Sequence, residues 1–383
     1  KPMGPYQGSS QIVEGLYLHL PFCFHKCHYC DFYSVVGAGE VDQEQFTDAL
    51  LSQIAHTAAL WELRPRTIFV GGGTPTLLAG GCWGRLLTCL RRLGLLDQVV
   101  EFTVEANPET VDLDLIKLLR EGGVNRVSIG AQSFQVPLLA TLERHHQPAS
   151  VARAVRTCRE GGIENLNLDL IFAIPGQSVA GFENDLQQGL ALEPQHLSCY
   201  GLTYEPGTAM TRRLAAGRFQ AADEAVEADM YALAMDRLEQ AGFEHYEISN
   251  WARPGLRCAA NLIYWKNRNW VGCGPSAASH VAGVRWTNEA HLGRYIAGCP
   301  DPPVVDRERL SADRHLGEQL MLGLRLREGV ELQWLDEQLS DDLDRRLGID
   351  ELCEQGFLER TATHLRLTRS GLHVANAVIR RLL

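Results

Sequence analysis

Three cysteines sit close together near the start of the chain, in Cys23-Phe-His-Lys-Cys27-His-Tyr-Cys30. The spacing C-x3-C-x2-C lets three thiolates on one tight loop face a single point. Thiolates are the ligands of iron–sulfur clusters, which normally take four. Three would leave one iron open to a small bidentate ligand, whose identity then tunes the metal. Zinc is a second reading. A structural zinc takes four protein ligands, so His25 or His28 would have to join the cysteines. Three buried thiols without metal are the third. The other cysteines are scattered singly and read as small buried hydrophobes.

Further polar groups follow in order along the chain. GGGTPT at residues 71–76 is a glycine run through which a backbone approaches a charged ligand and offers its N–H groups. EANP at 105–108, GAQSF at 130–134, Arg144, and Asp169 within LNLDLIFAIPGQ come next. A carboxylate such as Glu105 or Asp169 receives ribose hydroxyls or an ammonium, and Arg144 pairs with a carboxylate. Taken singly, each fits a plain turn or a satisfied structural polar group. Taken together, they read as a ligand site.

These residues need a scaffold. Short apolar or β-branched runs recur at 16–20, 67–70, 99–104, 126–130, 166–171 and 197–202, with amphipathic stretches between them. Continuously apolar strands alternating with helices predict a parallel sheet covered on both faces. Six repeats of the unit predict an α/β fold, a partial (β/α)6 barrel. In such barrels function gathers at the C-terminal strand ends, and every polar motif above falls there. The expected organisation is a flexible tail over 1–15, the barrel over 16–250, a Trp/Gly-rich connecting segment over 251–300, and a small helical, winged-helix-like module over 301–383. Pro302 and Pro303 mark the linker into that module. Trp265, Trp270 and Trp286 either pack a flat macrocycle or form core.

Composition excludes several classes. Of 383 residues, 45% are hydrophobic and 22% charged, an ordinary globular balance. Lys plus Arg is 36 against Asp plus Glu 47, a formal charge of −11. A nucleic-acid partner is therefore not expected, because phosphate binding needs a cationic face. No apolar run is long enough to span a membrane. Eleven cysteines, an odd number, point to a reducing compartment, the cytoplasm. The opening KPMGPYQGSS lacks the apolar core of a secretion signal.

The cysteine spacing resembles the signature of the radical S-adenosylmethionine (SAM) superfamily. The pattern from YLHLPFC at Tyr17 to LGLRLREGV near the C-terminus resembles the oxygen-independent coproporphyrinogen III oxidase family, and within it the HemW-type haem chaperone branch. The resemblance implies that Cys23, Cys27 and Cys30 hold a 4Fe–4S cluster. It implies SAM contacts from Tyr17, Tyr29, Gly72, Gly73, Thr74, Glu105, Gln132, Arg144 and Asp169. It also implies haem as a ligand, a haem acceptor protein, and a reducing electron-transfer partner. SAM-cleaving chemistry, through a 5′-deoxyadenosyl radical, comes with the superfamily.

Two departures matter. The oxidases carry a fourth cysteine two residues after the third, and here that residue is Phe32, which argues against coproporphyrinogen oxidation. The chaperones share an HNxxYW segment whose histidine is a candidate haem ligand. This chain reads AANLIYW, with Ala260 in that place. An imidazole ligates haem iron and a methyl group does not, so any haem ligand lies elsewhere. His280, Cys258 and Cys273 are nearby in sequence, while His19 beside the cluster loop reads as a hydrogen-bonding support. The alternative function is therefore a radical SAM enzyme of methylation, cyclopropanation or porphyrin modification.

Overall fold

A computed structural model describes residues 12–383. Most of the expected tail, residues 1–11, lies outside the described residues, while Val13 already begins the first strand. The six expected strands are β1 (Val13–Leu20), β2 (Leu63–Gly72), β3 (Glu101–Ala106), β4 (Arg126–Gln132), β5 (Asn165–Phe172) and β6 (His196–Gly201). They pair in parallel in chain order, with Leu18 opposite Val70 and Gly130 opposite Asp169. One face of each strand is apolar and closed, since Leu18, Ile68, Val104, Ile129 and Leu168 are all solvent-inaccessible. The opposite face carries Thr103, Ser128, Asn167, Asp169 and Ser198, so β3 to β6 alternate apolar and polar instead of forming the expected continuous apolar runs.

Helices α1 (Glu40–Leu60), α2 (Gly80–Arg92), α3 (Leu113–Glu121), α4 (Val136–Thr141), α5 (Pro148–Glu160) and α6 (Val179–Ala191) make the crossovers. α2 buries Trp83, Leu86, Leu87 and Leu90, one face at helical spacing. α3 starts at Asp112, whose side chain accepts from the Leu115 N–H, and α6 starts likewise at Ser178. Beyond β6 the chain forms α7 (Ala209–Ala215) and α8 (Glu224–Gln240).

The sheet does not close into a ring. Antiparallel strands β7 (Glu244–Glu247) and β8 (Asn250–Ala252) extend it past β6. On the other side β9 (Trp270–Cys273) lies parallel to β1, followed by antiparallel β10 (Ala278–Val281), β11 (Val284–Asn288) and β12 (Val304–Arg309). The Trp/Gly-rich segment is thus part of the main sheet, and Val304 and Val305 beyond the proline pair open its edge strand. Helix α9 (Ala259–Trp265) packs between them, its first N–H groups capped by the Glu101 carboxylate. After residue 310 come helices and a three-stranded antiparallel sheet of Val330–Glu331, His364–Leu367 and Leu358–Arg360, the winged-helix-like module. Among the described residues no helix is long and apolar enough to cross a membrane.

Candidate functional site

The strand ends place the polar motifs around one cavity of about 560 Å³. Leu20 pairs with Gly72, so the cysteine loop leaving β1 and the glycine segment leaving β2 start side by side. They are then zipped together: Gly73 N–H donates to Leu20 O at 2.8 Å and Thr74 N–H to Phe22 O at 2.7 Å. Glycine is required here. Gly72 has φ +107°, and a Cβ on Gly73 would stand 2.6 Å from the Phe22 carbonyl oxygen. His19 lies beneath Gly72, its Nε2 2.9 Å from Tyr33 O and its Nδ1 3.1 Å from the Tyr17 hydroxyl. Burial pushes its pKa down to about 4, so it is neutral, a support for the loop.

Cys23, Cys27 and Cys30 all line the cavity and none is in a disulfide. The loop is pinned at both ends. Cys30 N–H donates to Cys27 O at 3.2 Å, His28 N–H to Leu142 O at 3.3 Å, and Met210 N–H of α7 to His28 O at 2.8 Å. Cys23 Sγ lies 3.6 Å from Thr74 Oγ1, and Arg144 Nη1 lies 3.6 Å from Cys27 Sγ. Burial raises the pKa of Cys23 and takes that of Cys30 up to about 11. Without metal these are neutral thiols, and metal binding must displace their protons.

The remaining expected residues take the facing side. Gly72, Gly73, Thr74, Tyr29, Glu105, Gln132, Arg144 and Asp169 line the same cavity. Tyr17 is not among the lining residues; half-buried, it stacks on Phe69 of β2. Gly72 N–H donates to Glu105 Oε2 at 3.3 Å. Burial, then the neighbouring Asp169 charge, pushes Glu105 up to about 8. Asp169 is raised too, by burial, although Ser128 Oγ at 3.2 Å and Asn167 Nδ2 at 2.9 Å donate to it. Two half-buried carboxylates, with the Arg126 charge acting on both, fit a cationic, hydroxyl-bearing ligand. Gln132 follows a bulge in β4 and has φ +62°, a costly conformation for a side-chain-bearing residue that turns it at the strand end. Arg144 Nε is buried and unbonded, a donor left for a ligand.

The donor set suits a three-thiolate cluster with SAM at its open iron: three thiols on one loop, a tight glycine approach beside them, and half-buried carboxylates opposite. Sequence reasoning did not single out Glu143, His145 and His146, which also line the cavity. Their adjacency to Arg144 was the available signal. Ala260, His280 and Cys258 are elsewhere, near the N-terminal strand ends. Ala260 is 1% exposed and its N–H donates to Glu101, the first residue of β3. His280 packs on Trp270, and its Nδ1 is 3.0 Å from Arg268 O. Cys258 bonds to Glu101, and Cys273 is buried 3.7 Å from Thr57 Oγ1.

A parallel barrel carrying a three-cysteine loop against a glycine strand end defines a radical SAM protein. The family model of the radical SAM superfamily matches residues 17–188, and that of the HemN C-terminal domain matches 310–374. "Heme chaperone HemW" of Lactococcus lactis is 34% identical over 97% of this chain and 98% of its own length. The protein of that name from Mycobacterium tuberculosis is 37% identical over 96% and 94%, and that from Escherichia coli 34% over 95% and 96%. The chain belongs to the HemW haem chaperone family. The solved coproporphyrinogen III oxidase HemN of Escherichia coli superposes with a TM-score of 0.84 over 97% of this chain and 91% of its own, at 21% identity, and so shares the fold. A radical SAM domain implies a 4Fe–4S cluster and SAM.

Proposed function

We propose that this protein binds haem and transfers it to an acceptor protein, with a 4Fe–4S cluster on Cys23, Cys27 and Cys30 and SAM held opposite. The observation that carries the reading is the near-full-length similarity to proteins named haem chaperones. Phe32 supports it, because an aromatic residue stands where the oxidases have their fourth cysteine. Phe24 and Phe32 are 75% and 61% exposed on the cluster loop at the cavity mouth, apolar surface that suits a flat macrocycle.

A reduced cluster held by Cys23, Cys27 and Cys30 would supply the electron for reductive cleavage of SAM. The chain's residues set the geometry. Gly72, Gly73 and Thr74 let a ligand approach the backbone closely, and Glu105 and Asp169 receive its ammonium and ribose hydroxyls. Arg144 holds the Cys27 sulfur beside the strand end, and Gln132 fills the end of β4. Tyr29, half-buried, packs against the small apolar cluster that includes Leu138 and Ile171 and closes the floor. Tyr17 stands behind the glycine strand end, its hydroxyl 3.1 Å from His19 Nδ1. A reducing electron donor and a haem acceptor are the partners, and the net charge of −11 suits basic surfaces on them. The free cysteines suit the reducing cytoplasm.

Anaerobic titration of the cluster-loaded protein with haemin tests the proposal. A saturable Soret shift near one haem per chain is expected, and a linear, unsaturated response would overturn it.

A further inference from the structure

At the cavity mouth, His25 from the cysteine loop meets Glu143 and His145 from the turn after α4. His25 Nε2 lies 3.4 Å and His145 Nε2 3.5 Å from Glu143 Oε2. The two imidazoles stack, with centroids 4.4 Å apart and planes 21° from parallel, so both present nitrogen to the same carboxylate. All three donor atoms lie within 4.8 Å of one another. Donors at roughly 2.0–2.2 Å from a zinc ion stand about 3.3 Å apart, so the set needs only a small closing movement to hold one.

Two observations mark this cluster off from ordinary surface polarity. His25 Nε2 is buried and makes no hydrogen bond, despite its nearness to Glu143. Glu143 has φ +55°, just beyond the C-terminus of α4, where Glu143 N–H donates to Ala140 O and Arg144 N–H to Leu139 O. This left-handed helix-ending position favours glycine. A glutamate stands there instead, and its carboxylate points between two imidazoles. His28 Nε2 is 3.8 Å from the other Glu143 oxygen, but its Nδ1 faces Arg213 at 2.7 Å, which leaves it outside the donor set.

We propose that His25, Glu143 and His145 form a site for a borderline divalent cation, zinc or ferrous iron, separate from the cluster cysteines. Two imidazoles and a carboxylate are the donors of three-ligand sites that keep a position open. All three residues line the cavity that Cys23, Cys27 and Cys30 also line. The ion would tie the cysteine loop to the turn that carries Arg144. The donors' convergence on one point favours a bare ion over haem iron, which takes an imidazole on one face of a plane.

The test uses cluster-loaded protein, so that the three loop cysteines are occupied, in anaerobic metal-free buffer with Zn2+ competing against a chromophoric chelator. One Zn2+ per chain is expected. His25→Ala and His145→Ala should each weaken it at least tenfold, Glu143→Gln should weaken it, and the exposed His291→Ala should not. Iron and sulfide per chain should be unchanged, showing folded, loaded protein. Equal zinc affinity across these variants, or no stoichiometric zinc, would overturn the proposal. So would a haemin titration lost in His25→Ala and His145→Ala while zinc binding stays intact, which would assign the cluster to haem iron. The zinc readout involves neither haem nor SAM, so its failure is distinct from failure of the chaperone reading.

Discussion

Arg144 joins the two sides of the site: its Nη2 donates to Gly130 O at 2.7 Å while its Nη1 lies 3.6 Å from Cys27 Sγ. A charged hydrogen bond of this kind contributes about 1.5–3 kcal/mol. Cys27→Ala should leave well below the usual four or so irons per reconstituted chain. Arg144→Ala should keep the ligands yet lower iron retention and weaken SAM binding roughly tenfold or more. Iron analysis and anaerobic SAM binding check both. Full iron content in Cys27→Ala would sink the cluster assignment.

Gly73→Ala separates the close approach from general packing. Its new Cβ would meet the backbone of Phe22 and Pro21 at 2.6–2.7 Å, atoms that move only with the loop. The expected stability loss is about 1–3 kcal/mol, with SAM affinity down at least tenfold. Gly81→Ala in α2, where nothing lies within 4 Å, should be neutral or slightly stabilising. Thermal melts and SAM titrations of the pair provide the comparison.

Binding of SAM should depend on pH through Glu105. In the ligand-free protein its pKa is about 8, so at pH 7 the group is mostly protonated. A cation bound beside it favours the carboxylate, so binding expels a proton. Affinity therefore rises with pH up to about 8, by at most roughly tenfold per unit, and levels off above. Calorimetry in buffers of different ionisation heat should find close to one proton released at pH 7. Glu105→Gln should abolish that release; an unchanged release would exclude Glu105.

Restoring the family histidine should not help. Ala260 packs with Tyr246, Ala252 and Cys258 at the end of β3 remote from the cavity. Ala260→His should destabilise the fold by about 1–3 kcal/mol through overpacking and leave haem affinity no higher. A gain in haem binding, read by the Soret titration, would show that the face around α9 takes part.

The six parallel strands were legible because each carries a short apolar or β-branched row between helical stretches, although β3 to β6 alternate with polar residues and do not run continuously apolar. The cysteine loop was legible because thiol spacing survives without knowledge of the fold. Gly72 and Gly73 were legible as a glycine run at the end of β2, and Glu105 and Asp169 as carboxylates among apolar residues, although Asp169 lies inside β5 and not past its end. Tyr17 was placed with them by resemblance alone; its ring stacks on Phe69, and the Glu105 charge lies close enough to act on its hydroxyl. The pairing of β9 beside β1 was not legible, since Trp270 and Gly15 are neighbours only through long-range register. Nor was the meeting of His25 with Glu143 and His145, which depends on a left-handed residue after α4 that a glutamate does not advertise.

The bulge at the end of β4 gives three successive residues three separate duties. The Gly130 carbonyl accepts from Arg144, the Ala131 carbonyl stands 3.0 Å from His146 Nε2, and Gln132 turns at the rim. Deleting a single residue there would flip the alternation, unlatching the arginine and the histidine together while the hydrophobic interior stayed intact. One extra peptide unit thus acts as the hook on which the whole far side of the chamber hangs.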